Sequence, residues 1–281
     1  MVIRAIPKGK ASRKTLQTIG GHSYAIPDIG KENATLFSYT AGTIGGIILL
    51  PIILPVVTIV TFCMAYGHKS VRSAILKFLI PNAMKPLADK FKNHRQLLLQ
   101  HVRGRVLDVG AGGGGYFPLL QNVAHVVAVE PVASLKDVIR KTAMENGLDE
   151  HQLTVVTETL EDYADTAPPN SFDWVVLGNV LCEVPDPQSC LDAVHKLLKP
   201  GGMLYFCEHQ GCPRGTRTRT FQDVVNPWWS TFSGGCNCNR ETLRAIEGMA
   251  GWDVVSWDFE NVKVMGGPMV MGLAQKAVIS V

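Results

Sequence analysis

Apolar runs of strand length alternate with helical patterns from about residue 103 to the end of the chain. Five of these runs lie at 106–109, 125–130, 153–156, 172–177 and 203–208. Helical stretches separate them, and one is capped by Asp186 with Pro187 at its first position. The last two runs, 252–259 and 269–274, have no long helical crossover between them, which favours an antiparallel last strand. The pattern predicts an α/β fold with a doubly wound, mostly parallel seven-stranded sheet.

A long hydrophobic segment precedes this domain. Residues 33–67 contain no charged side chain, and their centre, 43–66, is long enough to enter or cross a bilayer. Pro51 and Pro55 each remove a backbone donor, which predicts a kinked span or a re-entrant hairpin. Basic residues flank both sides and favour a hairpin with both ends in the cytosol. We predict a membrane anchor over residues 33–68; a docking surface or packing within an oligomer is the alternative.

Two basic segments flank the anchor. Residues 1–32 carry six Lys or Arg with no acid before Asp28, and we predict a disordered extension, with an organellar transit peptide as the alternative. Residues 69–102 have a basic amphipathic pattern that Pro81 and Pro86 interrupt. That pattern is typical of helices on an anionic membrane surface or of lid helices over a sheet edge, and both can hold. Residues 103–281 form the main predicted domain.

A glycine-rich turn follows the first strand of that domain, in the sequence RVLDVGAGGGGY from Arg105 to Tyr116. This order predicts a strand, a tight turn and a helix N-terminus. Glycine has no Cβ and tolerates positive φ, so the backbone can approach a nucleotide closely. We therefore predict a small-molecule site at the carboxyl end of the first strand, with a merely flexible loop as the alternative.

Two ligands compete for this site. Gly110, Gly112 and Gly115 satisfy G-x-G-x-x-G, and Glu130 lies 20 residues after Gly110, so the spacing allows NAD. Asp108, however, stands at the mouth of the turn, where its carboxylate would face the diphosphate of a dinucleotide. S-adenosylmethionine (SAM) carries an ammonium and a sulfonium and has no phosphate, so the same charge attracts it. The charge favours SAM over NAD.

Composition narrows the function classes. The 281 residues are 46% hydrophobic and 18% charged, enough for one large domain with an appendage. A net charge of +3 without a basic stripe excludes nucleic acid as a partner. The seven cysteines make an odd count without a signal peptide, which favours reduced thiols.

Some of these cysteines could suggest zinc, but they contain no C-x-x-C pair and fit no standard finger, so we predict no metal site. The set in question is Cys207, His209, Cys212, Cys236 and Cys238. We expect Cys182 and Cys190 to pack as small hydrophobic residues.

Four motifs carry a family resemblance across roughly residues 86–275: LDVGAGGG, VAVEP, FDWVVLGNVLCEV and KPGGMLYFCEH. With them the chain resembles the class I SAM-dependent methyltransferases, whose fold is Rossmann-like. The stretches VLCEVPDPQSCLDAVHKLLKPGG and NPWWSTFSGGCNCNRET are similar to the small membrane-anchored branch that includes the microsomal alkyl-thiol S-methyltransferases. The basic extension ahead of the anchor and the extra glycines in the turn depart from that branch.

The resemblance implies a set of cofactor contacts. The turn would hold the methionine end of SAM through Asp108, Gly110, Ala111 and Gly112. Glu130 would accept both ribose hydroxyls, for which its two oxygens are suited, and Pro131 or Val132 would flank the adenine. Leu160, Glu161 and Asp162 would lie at the adenine edge, although the two acids could equally be solvated loop residues. The sulfonium side would be lined by Asn179 and Val180.

Methyl transfer is an in-line displacement that depends mainly on holding two atoms in line, and it demands no metal. His209, directly after the fifth strand, is the best candidate to take a proton or polarise the acceptor, unless it only fixes a loop. Asp223 is a weaker candidate. Asn226, Trp228 and Trp229 fall where the resemblance places a substrate wall, and the indoles could also lie at a bilayer interface.

Three function classes follow. The first is a membrane-bound methyltransferase acting on a small lipophilic thiol. The second acts at oxygen, nitrogen or carbon of a lipid, quinone or secondary metabolite. The third is a membrane or lipid-droplet scaffold with a vestigial SAM fold, which the complete set of Asp108, Gly110, Gly112 and Glu130 disfavours. We expect membrane lipid as a partner. The expected location is the endoplasmic reticulum or lipid droplets, with the catalytic domain facing the cytosol, and another organellar membrane is the alternative. The sequence predicts no oligomeric state.

Overall fold

The structure is a computed structural model, and it describes residues 13–19, 22–27, 56, 58–72, 74–75, 92–99, 101–120, 122–260 and 268–278. In chain order its strands are β1 (Arg13–Ile19), β2 (His22–Pro27), β3 (Arg105–Val109), β4 (His125–Val129), β5 (Leu153–Val156), β6 (Phe172–Gly178), β7 (Leu198–His209), β8 (Trp252–Glu260) and β9 (Met269–Lys276). The helices with established bounds are α1 (Lys92–Leu99), α2 (Lys136–Glu145), α3 (Leu160–Thr166), α4 (Pro187–Leu197), α5 (Arg217–Ser233) and α6 (Thr242–Glu247).

Strands β3 to β9 form one seven-stranded sheet in the order β5-β4-β3-β6-β7-β9-β8. The pairs β3–β4, β3–β6, β4–β5 and β6–β7 are parallel, whereas β9 runs antiparallel to both β7 and β8. The predicted α/β sheet with an antiparallel last strand is therefore confirmed. The short link between β8 and β9 explains the direction, because a parallel neighbour would need a crossover of a dozen or more residues.

Apolar layers cover both faces of this sheet, which is why its strands read as continuous hydrophobic runs. Leu107 of β3 packs in the layer that contains Leu191 of α4, and its neighbour Val106 packs in the opposite layer with Ile139 of α2. Helix α4 begins as the sequence indicates, since the Asp186 side chain accepts a hydrogen bond from the Gln188 backbone N–H at 3.0 Å. The central strands are thereby held rigidly, and their carboxyl ends can position a site.

The glycine turn does not lead into an α-helix as the sequence predicts. It is followed only by a short 3-10 helix, Phe117–Leu119, that includes Pro118. The chain reaches β4 at His125, which leaves no room for a longer helix. Helix α1 packs its Leu99 into the apolar layer that contains Phe117 and Val106.

Within the N-terminal extension, for which the sequence predicts disorder, β1 and β2 form an antiparallel hairpin. Ile19 of β1 pairs with His22 of β2. The sequence between them is Gly-Gly, a recognised hairpin signal. The remaining residues of the extension lie outside the described part.

The predicted membrane anchor is only partly described. Residues 58–66 are helical, and Ile59, Phe62 and Tyr66 of this helix are exposed. Within the described ranges, no helix combines the length and apolar character that crossing a bilayer requires. Pro51, Pro55, Pro81 and Pro86, on which the predicted kinks depend, lie outside those ranges.

Candidate functional site

The glycine turn is packed closely at the carboxyl end of β3. The Gly110 and Ala111 backbone N–H groups both donate to the Val129 carbonyl, at 2.8 and 3.2 Å. Gly110 has a φ of 61°, and a Cβ there would lie 2.7 Å from the Val180 side chain. The absence of a side chain at Gly110 therefore lets the turn contact the loop after β6, where the family resemblance implies the sulfonium side of the pocket.

Asp108 lies in β3 next to this turn, with Ala128 and Val176 as its neighbours in the sheet. Its side chain is 1% exposed, and neither carboxylate oxygen has a hydrogen-bond partner among the described residues. Burial, together with repulsion from Glu130, raises the pKa of Asp108 to about 7, and the charge of Arg95 offsets part of that rise. Such a buried, unpaired acid suits a cationic ligand that donates hydrogen bonds, and the ammonium of SAM fits that requirement.

Glu130 stands directly after β4 and joins the turn to the next loop. Its Oε2 accepts a hydrogen bond from the Gly112 backbone N–H at 2.8 Å, and its Oε1 accepts one from the Val132 N–H at 2.9 Å. Burial raises the pKa of Glu130, and these hydrogen bonds counteract part of the rise. Each oxygen keeps another lone pair, so the carboxylate can still accept ribose hydroxyls.

The remaining predicted cofactor residues line the same edge of the sheet with different exposure. Pro131 is exposed, Leu160 is buried at the start of α3, and Glu161 is half-buried. The Asp162 carboxylate accepts a hydrogen bond from the Thr159 hydroxyl at 2.8 Å, and Thr159 caps α3. The position of Asp162 in the first turn of α3 is therefore set by the helix cap.

Asn179 and Val180 lie in the loop directly after β6. Asn179 has a φ of 63°, in the left-handed region that non-glycine residues seldom adopt, and its backbone N–H donates to the Cys207 carbonyl at 2.9 Å. Val180 is buried against the glycine turn. A strained conformation held by a strand neighbour is typical of a functional loop.

Glu208 was not singled out by the sequence analysis, yet it holds this loop. Its carboxylate is fully buried in β7 and accepts hydrogen bonds from the backbone N–H groups of Val180 at 2.8 Å and Cys182 at 3.2 Å. Burial raises its pKa to about 7, although those N–H groups lower it. The available signal was an acid inside the apolar run FCEH, since an acid buried in a strand needs partners.

Arg95 is a second residue that the sequence analysis did not single out. It was counted only among the basic residues of an amphipathic segment, but in α1 it is 5% exposed. Its guanidinium lies 4.5 Å from the centre of the Tyr116 ring, a cation–π contact. Its positive charge also acts on Asp108, so α1 contributes electrostatically to the cofactor pocket.

His209 lies at the end of β7 beside two cysteines. Its Nδ1 is 3.2 Å from the Cys236 sulfur, which is 3.3 Å from the Cys182 sulfur. Contact with Cys182 and His209 lowers the pKa of Cys236. Burial by itself lowers the pKa of His209, but the Cys236 sulfur and the Glu208 charge outweigh burial, so the pKa of His209 is raised. Cys182, expected to be simple packing, is thus part of a polar cluster, whereas Cys190 does lie in the apolar core.

The residues predicted to form a substrate wall all lie in helix α5, and they differ in what they contact. The Trp229 ring lies edge-on to the His209 ring with centroids 6.3 Å apart, and Trp228 is half-buried. Asn226 instead faces the following loop, because its Oδ1 accepts from the Cys238 N–H at 2.9 Å and its Nδ2 donates to Asn237 Oδ1 at 3.0 Å. Trp229 therefore lies beside His209, whereas Asn226 holds the segment that follows α5.

Asp223, the weaker catalytic candidate, lies on the exposed side of α5. Its Oδ1 accepts hydrogen bonds from Asn239 Nδ2 at 2.7 Å and Arg219 Nε at 2.8 Å. These contacts lower the pKa of Asp223, Asn239 most strongly. They fix the segment after α5 and do not join Asp223 to His209.

Comparison with known proteins agrees with this geometry. The family described as "Methyltransferase domain" matches residues 83–256. The rat thiol S-methyltransferase TMT1B is 33% identical over 175 residues, which cover 61% of this chain and 70% of that protein. A ubiquinone biosynthesis O-methyltransferase from Xanthomonas euvesicatoria pv. vesicatoria is 34% identical over 125 residues, 44% of this chain and 49% of that protein. The solved N-methyltransferase NodS from Bradyrhizobium japonicum, in complex with S-adenosyl-L-homocysteine, has a TM-score of 0.50 at 12% identity, covering 67% of this chain and 86% of its own.

Proposed function

Because the chain belongs to the class I SAM-dependent methyltransferases, close to the thiol S-methyltransferases TMT1A and TMT1B, we propose that it methylates a small lipophilic thiol. One observation supports SAM as the cofactor. The buried Asp108 carboxylate has no hydrogen-bond partner among the described residues, and it lies beside a turn that Glu130 holds in place. SAM, when bound, supplies a methyl group on a positively charged sulfur. Family membership also sets aside the scaffold alternative.

The acceptor half rests on the residues at the end of β7. His209 and Trp229 present an imidazole and an indole to one another, and Val180 adds a buried apolar surface next to the turn. When a thiolate attacks a sulfonium, opposite charges disappear, so a pocket that excludes water favours the reaction. An apolar wall with few polar groups meets that need for a lipophilic thiol.

The acceptor must lose its proton before transfer, and even a cysteine thiol, with a pKa near 8.5, is ionised by only a few per cent at neutral pH. His209 is the imidazole at this end of the sheet and can take up that proton. Its Nδ1 faces Cys236, so Nε2 is the nitrogen left to meet an acceptor. Asp108 and Glu130 meanwhile hold the two ends of the donor and thereby fix the line of attack.

The proposal includes a membrane location. The uncharged run 33–67 and the exposed apolar side chains Ile59, Phe62 and Tyr66 support an anchor that keeps the enzyme where lipophilic acceptors dissolve. We place the enzyme at the endoplasmic reticulum or lipid droplets with its catalytic domain facing the cytosol, in keeping with seven cysteines none of which is paired as a disulfide.

An O-methyltransferase acting on a quinol is the second candidate, because the Xanthomonas relative carries that activity type in its name. The two can be separated with isotopically labelled SAM and a panel of alkyl thiols, phenols, amines and quinols. We expect label to enter the alkyl thiols, and Asp108→Asn protein serves as the control without donor binding. Transfer to phenols or quinols with none to thiols would overturn the first proposal.

A further inference from the structure

Three potential metal ligands from separate parts of the chain converge at the end of β7. Cys182 follows β6, His209 ends β7, and Cys236 follows α5. Their two sulfurs and an imidazole nitrogen all lie within 4.8 Å of one another, and both cysteines are buried. A chance packing of small hydrophobic residues would not require three ligand atoms to face one point.

The spacing is close to what a zinc ion needs. A tetrahedral site with Zn–S of about 2.3 Å and Zn–N of about 2.0 Å requires S···S near 3.8 Å and S···N near 3.6 Å. The observed separations are 3.3 Å between the sulfurs and 3.2 Å from the Cys236 sulfur to His209 Nδ1. Outward side-chain movements of about half an ångström are therefore enough to admit the ion.

Backbone contacts hold these ligands in place. The Cys182 N–H donates to Glu208, and its carbonyl accepts from the Asn237 N–H at 2.7 Å and from Asn237 Nδ2 at 3.2 Å. The His209 carbonyl accepts from the Thr242 hydroxyl at 2.8 Å. Because two of the three ligands are anchored before any metal arrives, binding an ion requires little further ordering of the chain.

Two cysteines and one histidine form a ligand set that catalytic zinc sites use, with the fourth position left open to water or substrate. We propose that Cys182, His209 and Cys236 bind one Zn²⁺ ion and that the acceptor sulfur occupies the fourth position. The zinc site stands on this geometry alone; the identity of the fourth ligand rests on the proposed function.

The chemistry is balanced without an oxidant or reductant. On coordination the acceptor thiol releases its proton to water and becomes a zinc-bound thiolate. Its sulfur then forms a bond to the methyl carbon while the bond between that carbon and the sulfonium breaks, and the electron pair of the broken bond neutralises the departing sulfur. Zinc thereby lowers the pKa of the acceptor thiol, so His209 does not have to remove the proton as a base.

The test uses the full chain, purified with reduced thiols and without oxygen, then equilibrated with Zn²⁺ and separated from free metal. We expect one zinc per chain by elemental analysis. Replacement of zinc by Co²⁺ should produce a sulfur-to-cobalt charge-transfer band and the intense visible bands of four-coordinate cobalt. Absence of bound zinc, uptake of copper(I) without zinc, or a Cys182–Cys236 disulfide in the reduced preparation would each overturn the site.

Variants locate the ligands. Cys182→Ser, Cys236→Ser and His209→Asn should each weaken zinc binding by more than about 100-fold, since even loss of outer-shell partners costs 10- to 100-fold. Cys212→Ser is the matched control, because Cys212 is a half-buried cysteine outside the cluster. Equal zinc affinity in Cys182→Ser and Cys212→Ser would contradict the assignment. If a variant fails to fold, the cobalt spectrum of the unchanged protein still tests the site, because its sulfur-to-cobalt band reports cysteine ligands without any substitution.

A separate measurement addresses the fourth position. Addition of an alkyl thiol such as butanethiol should shift the visible cobalt bands, whereas butanol should not; an unchanged spectrum would overturn the substrate-ligand role. Methyl transfer to the same thiol is then assayed with and without zinc. Transfer that persists at the same rate in the metal-free protein overturns the role of zinc in binding the acceptor sulfur but leaves the thiol methyltransferase proposal intact. A zinc-loaded protein that methylates no thiol overturns the proposed function while leaving the metal site in place.

Discussion

The Glu130 carboxylate is bonded to the glycine turn: its Oε2 accepts a hydrogen bond from the Gly112 backbone N–H at 2.8 Å. The two residues are 18 positions apart in sequence and stand at the ends of adjacent parallel strands. The acid expected to hold the ribose thus also shapes the turn expected to hold the methionine end. One side chain couples the two halves of the cofactor pocket before any ligand is bound.

Glu130→Gln tests this coupling. Glutamine has only one acceptor oxygen, so either Gly112 or Val132 would face an NH₂ group instead of an oxygen. A buried donor left without a partner costs about 1–3 kcal/mol, and we expect the Kd for SAM to rise by roughly 10- to 100-fold. Calorimetric titration measures this. Glu150→Gln, at an exposed position, is the matched control and should leave the Kd unchanged. Equal Kd values for both variants would show that the carboxylate is dispensable.

We expect the affinity for SAM to depend on pH through Asp108. Burial raises the pKa of Asp108 to about 7 in the ligand-free protein. Only the ionised carboxylate attracts the ammonium of SAM, so the Kd should rise about tenfold for each pH unit below 7. Calorimetry between pH 5 and pH 9 gives the profile. A Kd that does not change across pH 7 would show that Asp108 stays ionised or does not contact the ligand.

The same acid should destabilise the ligand-free protein at high pH. An acid whose pKa is raised on folding contributes stability that is fully present below its unfolded pKa near 4 and is lost as the pH rises through about 7. Asp108→Asn should therefore be more stable than the unchanged protein at pH 8, by about 4 kcal/mol for a shift of this size, and similar to it near pH 4. It should also lose SAM binding. Thermal melts at both pH values provide the measurement, with Asp137→Asn as the exposed control.

Two glycines of the turn should respond differently to the same substitution. At Gly110 an added Cβ would lie 2.7 Å from Val180 and the backbone has a φ of 61°, so Gly110→Ala should cost about 1–3 kcal/mol and weaken SAM binding. At Gly115 an added Cβ meets nothing within 4 Å, so Gly115→Ala should be neutral or slightly stabilising. Melting temperatures and SAM titrations of the Gly110→Ala and Gly115→Ala variants measure this difference. Similar losses in both variants would mean that chain flexibility, rather than contact with Val180, is what the turn provides.

Deletion of residues 1–68 should separate membrane binding from cofactor binding. The deleted segment holds the uncharged run and the exposed apolar residues Ile59, Phe62 and Tyr66. We expect the full chain to float with lipid vesicles and the shortened chain to stay in the aqueous fraction while binding SAM within about twofold of the full chain. A chain lacking only residues 1–27 is the control and should still float. Flotation of the shortened chain would move the anchor into residues 69–102.

Local pattern accounts for much of the sheet and of the cofactor motif. The alternation of apolar runs and helical stretches predicted the seven-stranded sheet and its antiparallel last strand, because burial on both faces leaves a continuous hydrophobic signal in each strand. Asp108 and Glu130 could be identified because the turn, the strand and the acid occur at a fixed spacing along the chain. The same reasoning was wrong about the helix after the turn, where only a 3-10 helix fits before β4.

Other features depend on contacts between residues far apart in the chain. The sequence alone determined the alternation of strands and helices, the acid ahead of the glycine turn and the uncharged N-terminal run, since each is encoded within short stretches of the chain. Only the tertiary structure decided that Cys182 meets Cys236 across 54 positions, that Glu208 turns inward to hold the loop after β6, and that Arg95 is buried beside Tyr116. The physical reason is that periodicity reports which face of an element is buried, whereas the identity of the group it meets there is set by how the elements pack.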